Sequence, residues 1–397
     1  MTWGTCTFAL GLALAALTGC AGAGHRYGCD NDAGSCDQGY QNPDGGRPNL
    51  PSFLSTPVVV AHDGRHDGFA DVTSFNGQVY AAYRRAPSRG YDGTAEVRIV
   101  RSSDKGQTWT PSGLVALPGY DLRDPKLTLF KEKLLVSFTA WDASDPTKNR
   151  AFFRAALSSD GQSFALLDAP SLPQPFGLSA WRPRLAANAL LLPVWTADEL
   201  FNHPDLDHVS LLRSTDGQSF PLASALPIGG GAEPELLVRD GGRLLLTTPG
   251  RDTDGTPGKQ SFCSSTLATD SISDWTCWTS ATRVETPLLY EWSGSLLLFG
   301  RHDVGQGKRR TAIWQVREDA QSLELVADLD TFGDTGAPGL LQLDASTALL
   351  LYYTSSRSDP QAQKLDHEPT QGEAISLNLS ADVMAVTLYL PSAPIGN

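Results

Sequence analysis

The chain is short of basic side chains: its 397 residues carry 31 Lys and Arg against 44 Asp and Glu, a formal charge of −13. Phosphate recognition needs a concentrated basic surface, so the deficit argues against a nucleic-acid partner. Helical spacing is scarce. Short apolar or alternating runs bounded by Gly, Asp and Asn recur in its place, the mark of strands. Long apolar runs are missing too, since FALGLALAAL (8–17) is too short to span a bilayer comfortably. The six cysteines form no CxxC pattern and have no suitably spaced histidine, which leaves a zinc site unsupported. NHPDLDH (202–208) gathers His203, Asp205, Asp207 and His208, but reads as a polar loop between strands in preference to a cation site. No metal and no cofactor are expected.

A chain of this length buries a large core, as one big all-β domain or two ordinary ones. The apolar run at 8–17 stands where a signal peptide stands and ends in Leu17-Thr18-Gly19-Cys20, which resembles the bacterial lipobox with Cys20 as the lipidated residue. The leading MTWGT departs from that pattern in carrying no Lys or Arg. Residues 1–19 are therefore expected to be a lipoprotein signal, and the Gly-, Asp- and Pro-rich residues 20–56 a flexible tether after the lipidated cysteine. With Cys6 lost and Cys20 lipidated, two local pairs remain, Cys29 with Cys36 and Cys263 with Cys277, consistent with disulfides in an oxidising compartment. These features predict an exported monomer of the cell envelope, touching the membrane only through its lipid.

The rest of the chain repeats. QVYAAYRR (78–85), KLLVSFTAW (133–141), ALLLPVWTA (189–197), RLLLTTPGR (243–251), SLLLFGR (295–301) and ALLLYYTSS (348–356) follow one another at intervals of 55, 56, 54, 52 and 53 residues, measured between Val79, Leu134, Leu190, Leu244, Leu296 and Leu349. Five are preceded by runs that open with proline: PKLTLF, PRLAA, PELLVR, PLLYEW and PGLLQL. Proline suits the first residue of an edge strand, and the innermost strand of a propeller blade is such an edge. Six units of about 50 residues, each with four strands, predict a six-bladed β-propeller over residues 57–392. Between the third and fourth strands of the first three units stand SSDKGQTW (102–109), SSDGQSF (158–164) and STDGQSF (214–220), with Asp104, Asp160 and Asp216 spaced 56 residues apart. Each aspartate is expected to accept local backbone N–H bonds and to act structurally.

The motif S-x-D-x-G-x-T-W is the Asp box, or BNR repeat, matched in full by Asp104, Gly106 and Trp109. With GYDLRDPKL (119–127) and EPELLVRDGGRLLL (233–246), it makes the domain resemble the sialidase (neuraminidase) superfamily over nearly its whole length. The resemblance implies an arginine clamp for a carboxylate, a tyrosine nucleophile assisted by a glutamate, and an aspartate as acid/base. Arg is suited to such a clamp because its planar fork meets a carboxylate bidentately. By position relative to the strand-opening prolines, Glu233 matches the assisting glutamate and Arg251 and Arg301 the clamp. Ala337 stands where the tyrosine is implied, and Phe69-Ala70-Asp71 carries no arginine where the first blade implies one.

One mouth of the channel is expected to gather His66, Asp71, Arg84, Arg123, Asp124, Arg182, Glu233, Glu235, Arg251, Arg301, His302 and Asp303. Such a rim suits an anionic or polyhydroxylated glycan, such as a sugar acid. The candidate catalytic carboxylates are Glu233 with Asp71 or Asp124, one neutral and one ionised. Arg84, Arg123, Arg182, Arg251 and Arg301 are the candidate binding residues, and Trp141, Trp181 and Trp195 candidate stacking faces. The expected function is that of an exo-acting glycoside hydrolase without the usual tyrosine; a non-catalytic, lectin-like propeller is the alternative. The polar segment 355–373 after the last blade's second strand is expected to be a lid or an insertion on the mouth side.

Overall fold

The structure is a computed structural model, described here for residues 53–144, 150–173, 178–196, 208–229, 231–251, 257–268, 271–292 and 294–389. The expected signal, Cys20, the Cys29–Cys36 pair and all but the last residue of NHPDLDH lie outside the described residues. An opening strand β1 (Val58–Ala61) precedes the first blade, β2 (His66–Phe75), β3 (Gln78–Ala86), β4 (Glu96–Ser102) and β5 (Thr110–Ala116). The second blade is β6 (Tyr120–Phe130), β7 (Lys133–Asp142), β8 (Ala151–Ser158) and β9 (Ala165–Leu166). In the third the innermost strand is split into β10 (Leu178–Ala180) and β11 (Arg184–Ala186), followed by β12 (Ala189–Thr196), β13 (His208–Ser214) and β14 (Leu222–Gly229). The fourth is β15 (Glu235–Val238), β16 (Arg243–Arg251), β17 (Pro257–Thr266) and β18 (Thr276–Ser280), and the fifth β19 (Glu285–Trp292), β20 (Ser295–Gly305), β21 (Lys308–Arg317) and β22 (Ser322–Asp328). The sixth contains β23 (Thr335–Gln342), β24 (Thr347–Ser355) and β25 (Ala381–Tyr389), with β1 antiparallel to β25 as its outer edge. The chain's first described strand thus completes its last blade and closes the ring, covering an edge that would otherwise be open. The sixth and first blades meet in a single parallel pairing, His66 with Ala381.

The six apolar runs are the second strands, β3, β7, β12, β16, β20 and β24, and their buried apolar side chains, leucines in all but β3, fill the layers between blades. The Asp boxes lie between the third and fourth strands, as their position in the repeat implies. Asp104 accepts the N–H groups of Gln107 and Thr108 at 3.1 and 2.9 Å, and Asp160 and Asp216 each accept two N–H groups at 2.8 Å. In each box the leading serine hydroxyl accepts the glycine N–H at 2.8 Å. The glycines, at φ 90°, 73° and 81°, press on the preceding blade: Gly106 on Leu349, Gly161 on Tyr80, Gly217 on Phe130. Each box therefore closes its hairpin and packs its blade on a neighbour.

Cys263 and Cys277 form a disulfide between β17 and β18. The strand-opening prolines differ from expectation in three blades. Pro125, Pro287 and Pro338 sit inside β6, β19 and β23, where the pairing register slips between Arg123 and Lys126, Glu285 and Leu288, and Gly336 and Gly339. A bulge leaves a residue out of the ladder, which is why a proline without an N–H is accommodated there.

Candidate functional site

The bulge fixes where side chains point. The residues before the prolines, Asp124, Glu233, Thr286 and Ala337, have φ of 52°, 50°, 50° and 44°, and Phe69, their equivalent in the first blade, has φ 58°. Left-handed backbone at non-glycine residues is strained, and its recurrence at one level of the ring shows a conformation imposed by the fold. Arg182, the third-blade equivalent, is the one exception among these positions. Backbone bonds tie the level together: Glu233 Oε2 accepts the Thr286 N–H at 2.6 Å, and the Thr286 hydroxyl accepts the Ala337 N–H at 2.8 Å.

Side chains of the third blade also bond to other blades. Trp181 reaches the fifth, its indole N–H donating to the Pro287 carbonyl at 3.1 Å. Arg182 donates to Asp71 and, at 3.1 Å, to the Pro338 carbonyl. Asp71 also accepts the Leu127 N–H at 2.8 Å, and Glu235 binds Arg184 and lies 3.4 Å from Arg182. Lys126 is buried with its ammonium 4.2 Å from the Trp181 ring, and burial, then Arg182, push its pKa down. Asp71, 0% exposed and held on both oxygens, is committed to Arg182 and the Leu127 N–H and is not a free carboxylate. Arg182, expected to bind ligand, is itself engaged by Asp71 and the Pro338 carbonyl.

The other described arginines of this region pair with carboxylates. Arg84, fully buried, makes a bidentate contact with Asp121 at 2.7 and 3.0 Å and also donates to the Ser88 and Gly90 carbonyls, fixing the loop after β3. Arg123 pairs with Asp121 at 2.8 Å and lies over the Tyr91 ring at 4.5 Å. Arg301 pairs with Glu285 at 3.0 Å and Asp334 at 3.2 Å, and Arg283 with Glu285 at 3.4 Å. From the loop after β3, Arg89 pairs with Asp334 at 2.9 Å and lies 5.1 Å over the Phe69 ring. Asp334 further accepts the Tyr353 hydroxyl at 3.1 Å and the Gln371 amide at 2.7 Å. Burial works against ionisation of Asp334, but Arg89, His66 and Arg301 outweigh it and hold the carboxyl below its ordinary range. Asp121 and Glu285 are held low in the same way, by Arg123 and Arg84 and by Arg301 and Arg283. Buried His66 is pushed down to about 4, chiefly by desolvation.

Two carboxylates at the mouth are left without an ion pair among the described residues, Glu233 and Asp124. Burial raises the pKa of Glu233; Arg301 opposes the rise, and Asp124, on the second blade, adds to it. Of the other expected residues, the Arg251 side chain lies outside the described part of the structure. His302 pairs with Asp328 at 2.7 Å, and Asp303 with Arg309 at 2.6 Å. Trp181 and Trp195 are buried against each other with ring centroids 6.2 Å apart; Trp141, half-buried, meets Tyr91 at 5.5 Å and forms an aromatic rim. The segment after β24 carries the short helix α1 (Gln371–Ser376), capped by Thr370, and docks through Gln371 on Asp334 and through Glu368 on Arg310 at 2.6 Å. Sequence reasoning missed Arg89, Asp121, Glu285 and Asp334. Asp121 and Asp334 each stand four residues before a strand-opening proline and Glu285 two before one, a signal that was available; Arg89 lies in a loop with no repeat phase to mark it.

Solved structures share this fold. A protein of unknown function from Dyadobacter fermentans superposes with a TM-score of 0.66 at 18% identity, covering 86% of this chain and 100% of that one. A Trypanosoma rangeli sialidase in complex with the inhibitor DANA gives 0.58 at 14% identity over 81% of this chain, and the same sialidase in complex with sialic acid gives 0.55 at 14% over 81%. The chain spans about half the length of these sialidases, 55% and 54%. No family model matches the sequence, and no curated protein matches it. The chain is an all-β propeller of the architecture found in sialidases.

Proposed function

We propose that the protein is a glycoside hydrolase whose reaction centre is the channel mouth, with Glu233 as proton donor and Asp124 as the second carboxylate. The observation that carries this reading is the contrast in pairing. The arginines described at the mouth are all taken up by Asp121, Glu285 and Asp334, while Glu233 and Asp124, on separate blades and with Asp124 acting on Glu233, have no ion pair among the described residues. Glu233, kept toward its neutral form by burial, suits protonation of a glycosidic oxygen. Asp124 either attacks the anomeric carbon or activates a water, and the anomeric configuration of the product distinguishes the two. Trp181 and Arg182 bond from the third blade to the fifth and sixth, and with the ring bridged in this way an end-on, exo-acting mode is the one proposed. Anchoring through a lipid on Cys20 would place this mouth at the cell envelope.

A second reading is favoured by Ala337, fully buried at the position where the sialidase resemblance implies a tyrosine, and by Phe69-Ala70-Asp71, which carries no arginine where the resemblance implies one. On that reading the propeller binds glycans without cleaving them. Incubating residues 21–397 with a panel of aryl glycosides and sialosides, beside a glycan array, separates the two. Turnover abolished in Glu233→Gln supports the hydrolase; array binding without turnover supports the lectin-like propeller; turnover unaffected by Glu233→Gln removes Glu233 from the chemistry.

A further inference from the structure

We infer that the mouth is built for an uncharged glycan, because Asp334 already fills the arginine pair that a sugar carboxylate would need. The inference rests on the reading of the mouth as the glycan site. Arg89 and Arg301 come from the first and fifth blades and converge on one carboxylate, at 2.9 and 3.2 Å. That carboxylate belongs to the protein. It is 4% exposed and is completed by hydroxyl and amide donors from Tyr353 and Gln371, so its oxygens receive four side-chain donors in all. Arg84 and Arg123 are occupied in the same manner by Asp121, which is 0% exposed.

A ligand carboxylate would have to displace one of these buried acids and leave it desolvated without its cation. It would also approach Glu233 and Asp124, the two acids without an ion pair among the described residues, and like charges at close range work as selection against it. Among the described residues, the hydrogen-bonding capacity remaining at the mouth is therefore mainly that of acceptors, suited to the hydroxyl donors of a neutral sugar. Tyr91, 37% exposed and held flat by Arg123, supplies an apolar face beside them.

The test has two arms. In the first, wild-type protein is given matched p-nitrophenyl glycosides, glucoside against glucuronide and galactoside against galacturonide, with a sialoside alongside. The account expects kcat/KM for the neutral member to exceed that for the acid by about 100-fold or more. Equal or preferential turnover of the acid, still dependent on Glu233, overturns the inference and leaves the hydrolase reading in place. In the second arm, binding of methyl glucuronide and N-acetylneuraminic acid is titrated calorimetrically to wild type and to Asp334→Asn, with Asp334→Ser as the alternative should Asp334→Asn fail to fold. Freeing Arg89 and Arg301 is expected to tighten binding of the acids by about tenfold or more. A folded variant that binds them no better than wild type overturns the inference. If no glycoside is turned over by wild type, the hydrolase reading falls, and the titration still decides whether Asp334 occupies the arginine pair.

Discussion

Glu233 Oε2 accepts the backbone N–H of Thr286 at 2.6 Å, so the acid proposed as proton donor is held by the next blade and not by its own. One oxygen is thereby oriented and the other left for a substrate. Burial raises its pKa, and the sign of the consequence is fixed. A carboxyl whose folded pKa is raised contributes stability fully present below its unfolded value, about 4.3, and lost as pH rises through the folded value. Activity that needs the protonated form is expected to fall across the same alkaline limb. A pH profile of kcat/KM that rises through that limb would contradict the assignment.

Asp67 provides a second titration, remote from the chemistry. It is 1% exposed, and burial followed by the nearby Asp63 raises its pKa to about 7. Its stabilising contribution is present below about pH 4 and declines up to about 7. Asp67→Asn, which cannot ionise, is expected to gain on wild type between those values, so that its Tm exceeds that of wild type at pH 8 but not at pH 4. Equal pH dependence of the two proteins would count against a buried, high-pKa Asp67.

The box glycines carry a contact as well as a conformation. Gly64 and Gly161 have similar φ, 77° and 73°, but a Cβ on Gly64 meets open space, whereas one on Gly161 runs into the Tyr80 ring of the preceding blade. Gly64→Ala should cost about 1 kcal/mol from left-handed backbone alone. Gly161→Ala should cost about 1–3 kcal/mol more from overpacking. Chemical denaturation of the two variants measures the difference; equal losses would mean that the box glycine serves only its turn.

The disulfide joins strands that already pair, with a separation of 14 residues. Loop closure of that size gives an expected loss of about 3 kcal/mol in the Cys263→Ala/Cys277→Ala double variant. Cys263 is buried while Cys277 is exposed, so a mild reductant should reach the bond in the native state. Denaturation midpoints that coincide with and without reductant would argue that the bond adds nothing beyond the sheet.

The architecture was legible because a propeller repeats its physics. Each second strand must bury both faces, so leucine runs recur at Leu134, Leu190, Leu244, Leu296 and Leu349, and each box repeats the turn that docks it. The phase of the prolines also placed Asp124 and Glu233 at one level of the ring. What the sequence hid was pairing. Arg89 and Asp334 are 245 residues apart, and nothing local signals that Arg84 is spent on Asp121 or Arg182 on Asp71. Counting arginines at the mouth therefore could not show which of them are already paired. Ring closure by β1 was hidden for the same reason, since Val58 pairs with Ala385.

The proton-donor role of Glu233 is tested most directly by varying the leaving group. Wild type and Glu233→Gln are compared on a neutral aryl glycoside with a poor leaving group and on its 2,4-dinitrophenyl counterpart, which needs little protonation. The account predicts a loss of about 10²–10⁴-fold on the first substrate and a far smaller loss on the second. Equal activity of Glu233→Gln and wild type on both, or equal loss on both, would contradict it.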